Sequence, residues 1–229
     1  MINPLTVGRL DEVEIERLLA KLKLKANFIP NFTTTEAIGK SSEAALTTSM
    51  CPTFSEYFAK SLEERFQVPY TQKVMPVGLD NTDLWLREIG KLLGKEDEVE
   101  TVIKAERERV EPKIEELKEK LAGKRAFVSA GQSRAVGIPN LLADLGMDIV
   151  GVTAYHYDEV IFESFANLEK RCGNFCTNIA NVQPFEQTNI LNKEQPVFLF
   201  RSRGGVNLGC KAGIPYSYDL QFISYLCWL

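Results

Sequence analysis

Two apolar runs, separated by the length of one helix, constrain the fold of this chain more than any other feature. Gly123-Lys-Arg-Ala-Phe-Val-Ser-Ala130 ends in residues typical of a buried strand, and Asp148-Ile-Val-Gly-Val-Thr153 is a second such run. The residues between them predict a loop over 131–134 and a helix that ends at Leu145. Because strands joined through a helix run parallel, the sequence predicts a β-α-β crossover.

The same alternation of helical and strand-like patterns extends over the whole chain. Helices are predicted over 10–22, after Thr33–Glu36, from Pro52, from Thr82 to Leu93, over 96–121, over about 158–170 and after Pro184. Strands or extended segments are predicted over 25–30, 45–50, 71–76 and 196–200, and a polar loop over 172–176. This pattern predicts an α/β protein of Rossmann-like or flavodoxin-like three-layer α/β/α units with mostly parallel sheets.

A highly charged helix over 96–121 is expected to connect two such units. Its Glu and Lys residues are often three or four positions apart, which is typical of a solvated face, and Pro112 is expected to bend or divide it. We expect a partial Rossmann-like domain over residues 1–122, which includes this helix. A second Rossmann-like domain, whole or truncated, is expected over residues 123–229.

Composition and charge argue against several classes of function. The net charge is −4, with 27 Lys and Arg spread among 31 Asp and Glu, so no basic face points to a nucleic-acid partner. No apolar run approaches the ~20 residues needed to cross a bilayer, and the N-terminus lacks the pattern of a signal peptide. A plain nucleotide-binding Rossmann domain is disfavoured because the chain has no G-x-G-x-x-G or P-loop sequence. We therefore expect a cytoplasmic protein without a membrane partner.

Cysteine is the residue type that most directly suggests site chemistry. Five cysteines without a C-x-x-C pair argue against a closed disulfide framework: Cys51, Cys172, Cys176, Cys210 and Cys227. Cys51 lies between a strand-like run and the helix predicted from Pro52, where backbone N–H groups and the helix dipole favour a thiolate. Such a residue suits a nucleophile or a metal ligand, and a small buried residue is the alternative. The pair Cys172 and Cys176 is weak support for a metal site, and Cys210 and Cys227 are expected to be buried thiols.

The residues that follow Cys51 resemble the cofactor-cysteine segment of the nitrogenase component 1 family, specifically the alpha subunit of the molybdenum-iron protein and its relatives. An aromatic-rich helix start is followed by Glu63-Glu64-Arg65-Phe66 and by the exit Val68-Pro69-Tyr70. Further matches come in the order of the family: Pro76-Val-Gly78 with Thr82-Asp83, Gly123-Lys-Arg125, Asp144-Leu-Gly-Met-Asp-Ile-Val-Gly151 and Lys211-Ala-Gly-Ile-Pro215. The similarity covers nearly the whole chain.

The resemblance implies an iron-sulfur-type metallocluster as the cofactor of the full-length protein. Cys51 corresponds to the cysteine that ligates one cluster iron, which makes it the implied metal ligand. Gly131 corresponds to a glycine that permits close backbone approach, and Arg134 to an arginine that lies against the anionic cluster. His156, the only histidine, follows a strand and is our candidate proton donor. A ligand, a substrate contact or a hydrogen-bonded loop histidine are its alternatives.

Two departures from the family pattern limit the comparison. The family's alpha subunit has a histidine ligand shortly after its G-I-P motif, whereas residues 214–220 contain no histidine, which argues against a molybdenum-nitrogenase-type cofactor. The N-terminal domain that holds the family's electron-relay cluster has no counterpart here. We therefore expect a fragment of a longer subunit, with a naturally short relative as the alternative.

The resemblance implies part of a nitrogenase component 1-like oxidoreductase subunit. The full protein would take electrons from an ATP-driven iron-sulfur reductase and pass them through its metallocluster to a small substrate. It would work as a heteromer with a homologous component 1 subunit, and the isolated chain is expected to lack the cluster and to be inactive. The alternatives are a scaffold for nitrogenase cofactor assembly, a tetrapyrrole-reductase-like subunit and a plain Rossmann-like binding domain.

Overall fold

In a computed structural model, the chain forms helices and parallel strands that gather into two compact units. The structure describes residues 1–5, 9–29, 33–71, 75–156, 158–159, 162–179, 183–201 and 216–217. Among the described residues, the first unit contains those in 1–76 and 80–109, and the second contains 77–79 and those from 110 to 217. The domain boundary near residue 122 stays a prediction.

The first unit is built around a pair of parallel strands. β1 (Ile2–Leu5) pairs with β2 (Leu46–Ser49), and single bridges at Ala26, Ile29 and Tyr70 extend the pairing on both sides. The helices that belong mainly to this unit are α1 (Arg9–Lys21), α2 (Thr35–Lys40), α3 (Pro52–Phe66), α4 (Leu79–Leu93) and the first half of α5 (Glu96–Leu121). Each described connection between paired strands is therefore a crossover through helix.

The core of the first unit is formed by the apolar faces of α1 and α4 against β1 and β2. Ile15, Leu18, Leu19 and Leu22 recur at helical spacing along α1 and the turn after it, and all are buried. Trp85 of α4 is fully buried, and its indole Nε1 donates a hydrogen bond of 2.7 Å to the hydroxyl of Thr48 in β2. This bond satisfies the polar atom that burial of a tryptophan would otherwise leave unpaired.

A buried carboxylate on the first half of α5 is surrounded by cations. Glu106 is 9% exposed, and its carboxylate accepts hydrogen bonds of 2.8 and 2.6 Å from Arg17, one of 2.9 Å from Arg109 and one from Lys21. Burial by itself raises the pKa of Glu106, but the hydrogen bonds from the three cations outweigh it and lower that pKa from 4.5 to about 2. The network joins α1 to α5.

The second unit contains a five-stranded, all-parallel sheet. Its elements are β3 (Arg125–Ala130), α6 (Gln132–Asp144), β4 (Asp148–Ala154), α7 (Phe162–Cys172), β5 (Cys176–Ile179), α8 (Pro184–Glu194), β6 (Phe198–Arg201) and β7 (Tyr216–Ser217). The strands lie in the order β5-β4-β3-β6-β7. Counted within the unit this order is 3-2-1-4-5, the Rossmann arrangement, so the predicted fold class is confirmed.

Close packing at the centre of this sheet depends on one glycine. Phe127 of β3, Leu199 of β6 and Leu191 of α8 form a buried cluster on the face that α8 covers. A Cβ at Gly151 of β4 would lie 2.4 Å from Cε2 of Phe127, which is shorter than any van der Waals contact. Gly151 therefore leaves the space that the Phe127 ring fills.

Some element boundaries differ from the sequence-based predictions. The loop predicted over 131–134 is wrong, because α6 already begins at Gln132, and the loop predicted over 172–176 ends in strand β5. β5 has half-exposed residues in alternation with exposed ones, so its apolar signal is weak. Neither β1 nor β7 was predicted, and residues 25–29 form single bridges instead of a strand.

The predicted helix start at Thr82 is also wrong. α4 begins at Leu79, whose backbone N–H donates 2.7 Å to the buried carboxylate of Asp144, which also pairs with Arg171. A cap that comes from a residue 65 positions away in the sequence leaves no local pattern. Pro112 was expected to bend or divide α5, and the helix is not divided there. Within the described residues, no helix is both long enough and apolar enough to cross a membrane.

We predict that Glu106→Gln lowers the free energy of unfolding by about 1–3 kcal/mol near neutral pH, because charge-assisted hydrogen bonds to the carboxylate are lost. The folded-state pKa is lowered to about 2, so the stabilisation is complete above pH 4.5 and is lost as the pH falls towards 2. Urea unfolding should show that the difference in free energy of unfolding between wild type and Glu106→Gln shrinks as the pH falls from 4.5 towards 2.

Glu100→Gln is the matched control on the same helix. Glu100 pairs with Arg87 at an exposed position, so its replacement should change the free energy of unfolding by less than about 0.5 kcal/mol. Equal losses for the two variants would contradict the special role of Glu106.

Candidate functional site

Cys51 lies where a parallel strand of the first unit gives way to a helix. It is the N-cap residue of α3, with extended backbone angles (φ −150°, ψ 97°), and Pro52 occupies the first helical turn. The side chain is half-buried and carries a thiol that forms no disulfide. The position at the carboxyl end of β2 agrees with the one predicted from sequence, although the role of Cys51 as a ligand stays a prediction.

Two serines hold the backbone of Cys51 from both sides. The hydroxyl of Ser49 accepts a hydrogen bond of 3.0 Å from the Cys51 N–H, and the hydroxyl of Ser55 donates one of 2.9 Å to the Cys51 carbonyl. The two hydroxyls also hydrogen-bond to each other, and Ser55 is only 3% exposed. Sequence reasoning missed this pair. The signal was a serine two residues before the cysteine and another four residues after it.

Gly131 and Arg134 lie at the start of α6 in the second unit. Gly131 is the N-cap residue and directly follows the last residue of β3. β3 has β4 on one side and β6 on the other, so this helix start lies at the point where the strand order reverses. In open parallel sheets that crevice is the usual ligand site. Arg134 is exposed on the first turn of α6, so its guanidinium is accessible to a ligand there.

The structure brings Gly131 and His156 together. A Cβ placed on Gly131 would lie 3.3 Å from Cε1 of the imidazole, so the ring packs against the glycine backbone. The φ angle of Gly131 is −61°, which any residue adopts. Close approach, and not backbone conformation, therefore explains the glycine at this position.

Residues on both sides of His156 are tied to the sheet and to α6. The hydroxyl of Tyr155 donates 3.1 Å to the carbonyl of Ser129, whose own hydroxyl accepts 2.8 Å from Gln187 of α8. On the other side, Gln132 hydrogen-bonds to both the backbone and the carboxylate of Asp158. Sequence reasoning missed Gln132, Ser129 and Gln187.

The side chains fit an iron-sulfur-type cluster through one donor only. A cysteine thiolate is the soft ligand that cluster iron prefers, and the fixed backbone of Cys51 is suited to metal ligation. Among the residues that the structure describes, no group of three His, Cys, Asp or Glu side chains could hold a metal ion by itself. Cys51 belongs to the first unit, whereas Gly131, Arg134 and His156 belong to the second.

The other cysteines are poorer candidates or cannot be placed. Cys172 ends α7, and burial raises the pKa of its thiol, which disfavours the thiolate. Cys176 begins β5 and is half-buried. Cys210, Cys227 and the segment 211–215 lie outside the described residues.

Comparison with known proteins identifies a family that matches almost the whole chain. The family described as nitrogenase component 1 type oxidoreductase matches residues 2–228. The nitrogenase molybdenum-iron protein alpha chain of Methanothermobacter thermautotrophicus is 31% identical over 181 residues, which are 77% of this chain and 38% of that protein. The nitrogenase iron-molybdenum cofactor biosynthesis protein NifE of Methanosarcina barkeri is 27% identical over 121 residues, 51% of this chain and 26% of that protein.

A solved structure agrees on the fold. The structure of nitrogenase Cp1 at pH 5 superposes with a TM-score of 0.80 at 22% identity, and the match covers 98% of this chain and 52% of that chain. At this level of identity the match establishes the fold. This chain spans well under half the length of the molybdenum-iron alpha chain and about half of the solved chain.

We predict that Gly131→Ala displaces the imidazole of His156, because a contact of 3.3 Å requires a shift of a few tenths of an ångström. Since the φ angle of residue 131 suits alanine, the unfolding midpoint should change little. The single histidine gives one Hε1 NMR signal, which reports the displacement. Gly39→Ala is the control, because a Cβ there meets nothing within 4 Å. An unmoved signal in Gly131→Ala would contradict the contact.

Proposed function

The chain belongs to the nitrogenase component 1 type oxidoreductase family, and from that premise we propose that it is part of a subunit that binds an iron-sulfur-type metallocluster through Cys51. The complete protein takes electrons from an ATP-driven iron-sulfur reductase and delivers them to a small substrate. Its partner is a homologous component 1 subunit. The isolated chain is inactive under this proposal, since one thiolate cannot by itself hold a multi-iron cluster.

The observation that supports this proposal most is the local structure around Cys51. Cys51 is the N-cap residue of α3, and the positive end of a helix dipole favours an anionic ligand. Ser49 and Ser55 fix the peptide groups on both sides of the cysteine, so the direction of its Cα–Cβ bond is fixed as well. A ligand of fixed direction loses little entropy when it binds metal.

The residues of the second unit have proposed roles of positioning and proton handling. The backbone at Gly131 offers a close approach at the start of α6, and the exposed Arg134 balances negative charge. His156, whose imidazole packs against Gly131, is the proposed proton donor. The cluster, when bound, supplies the storage of electrons. The cytoplasm remains the proposed compartment, and the thiols at Cys51, Cys172 and Cys176 are compatible with it.

A scaffold for cofactor assembly is the second candidate function. The similarity to a cofactor biosynthesis protein favours this function, because that relative aligns with 51% of this chain at 27% identity. A scaffold holds a cluster precursor and releases it, whereas a reductase keeps its cluster through turnover. Transfer of the bound cluster to an acceptor protein would distinguish the two functions.

We predict that Cys51→Ala removes most of the bound iron from the protein when it is isolated anaerobically, together with the subunit it assembles with. Loss of a residue that only supports a metal ligand lowers metal affinity by about tenfold or more. Loss of the ligand itself should therefore lower cluster affinity by at least about tenfold. Iron content and the EPR spectrum measure the effect. A circular dichroism spectrum like that of the wild type establishes that the variant is folded.

Cys172→Ala is the matched control for this experiment. Cys172 is also a half-buried thiol in the described part of the chain, but its raised pKa disfavours metal binding. Its replacement should leave iron content and spectrum unchanged. If Cys51→Ala keeps its iron, the proposed ligand is wrong and Cys51 is a packing residue.

A further inference from the structure

We propose that Gln132 is a positioning residue that holds the segment carrying His156 against Gly131. The inference rests on the proposed function only in so far as it assigns His156 a chemical role. Gln132 is the first residue of α6 and is 0% exposed. A primary amide without exposure is costly to bury unless both of its ends are hydrogen-bonded.

Both ends of the Gln132 amide are used by Asp158. The Gln132 Oε1 accepts a hydrogen bond of 2.6 Å from the backbone N–H of Asp158, and Nε2 donates to the Asp158 Oδ2. The pair therefore fixes the backbone and the side chain of Asp158 at once. Two hydrogen bonds to one residue define its orientation as well as its distance.

Asp158 lies two residues beyond His156, and the other side of His156 is held separately. The Tyr155 N–H donates 3.0 Å to the carbonyl of Ala130, and its hydroxyl donates 3.1 Å to the carbonyl of Ser129. The backbone bond continues the pairing of β3 with β4, and the hydroxyl adds a side-chain bond to β3. Gln132 is thus a contact from α6 that holds the far end of the segment at Asp158.

The imidazole approaches Gly131, the residue immediately before Gln132 in the chain. With Asp158 bound to Gln132, the ring is kept beside the helix start, where we place the ligand crevice. Gln132 therefore acts on the chemistry of the site through His156 and needs no contact with a ligand.

The test uses the single histidine as a probe in the chain without cluster, expressed without a histidine tag. In Gln132→Ala we expect the His156 Hε1 NMR signal to move and broaden. We also expect diethyl pyrocarbonate to modify the imidazole about tenfold faster, because two buried hydrogen bonds no longer oppose local opening. Unchanged signal and rate would overturn the proposal.

Asn140→Ala separates positioning from general stability. Asn140 is also a buried amide on α6, but it bonds to Val136 and Arg171 and not to the segment of His156. This variant should lower the unfolding midpoint without moving the His156 signal or its rate of modification. If both variants move the signal equally, Gln132 is a structural residue only.

A rescue tests the hydrogen-bonded pair itself. Gln132→Glu places a carboxylate against that of Asp158, so the modification rate should rise as in Gln132→Ala. Addition of Asp158→Asn restores a donor opposite the new acceptor, and the rate should return to within about twofold of wild type. Failure of this rescue would overturn the pairing. These readouts require no metal, so they stand or fall independently of the iron content of Cys51→Ala.

Discussion

Parallel pairing on both sides of β3 is the constraint on which the second unit depends. Because β4 and β6 run in the same direction as β3, every connection must return over a face of the sheet, and α6 and α8 form parts of those returns. Because the strands are parallel, their carboxyl ends all lie at one edge of the sheet. Gly131 and His156 meet there because each follows the end of one of two paired strands.

The helix starts at Cys51 and Gly131 occupy equivalent places in their separate units. Cys51 and Gly131 are both N-cap residues that come within two residues of the end of a parallel strand. A strand followed at once by a helix presents unpaired backbone N–H groups and the positive end of the helix dipole. An anionic ligand is favoured at such a junction. The first position adds a thiol, and at the second the imidazole of His156 lies against the glycine.

The sequence predicted most of this fold because its signals are local. Continuous apolar runs located β3 and β4, helical patterns located α3 and α5, and the ordered motifs led to the family. What it missed depends on distant residues: the cap of Leu79 by Asp144, the bond of Gln132 to Asp158 and the edge strand β5. Such contacts follow from the folded positions of residues far apart in the chain. For the candidate site, the sequence indicated Cys51 and His156 but not the serines and amides that hold them.

The Rossmann strand order also has a consequence during synthesis. β3 is complete at residue 130, whereas its neighbour β6 is complete only at residue 201, so one side of β3 remains without its native partner while roughly 70 further residues are added. At about 5–20 residues per second this interval lasts for several seconds on the ribosome. An apolar strand with an open edge can pair with another nascent chain in that time. Slow synthesis or low temperature during production changes the length of this interval, and the yield of folded protein depends on it.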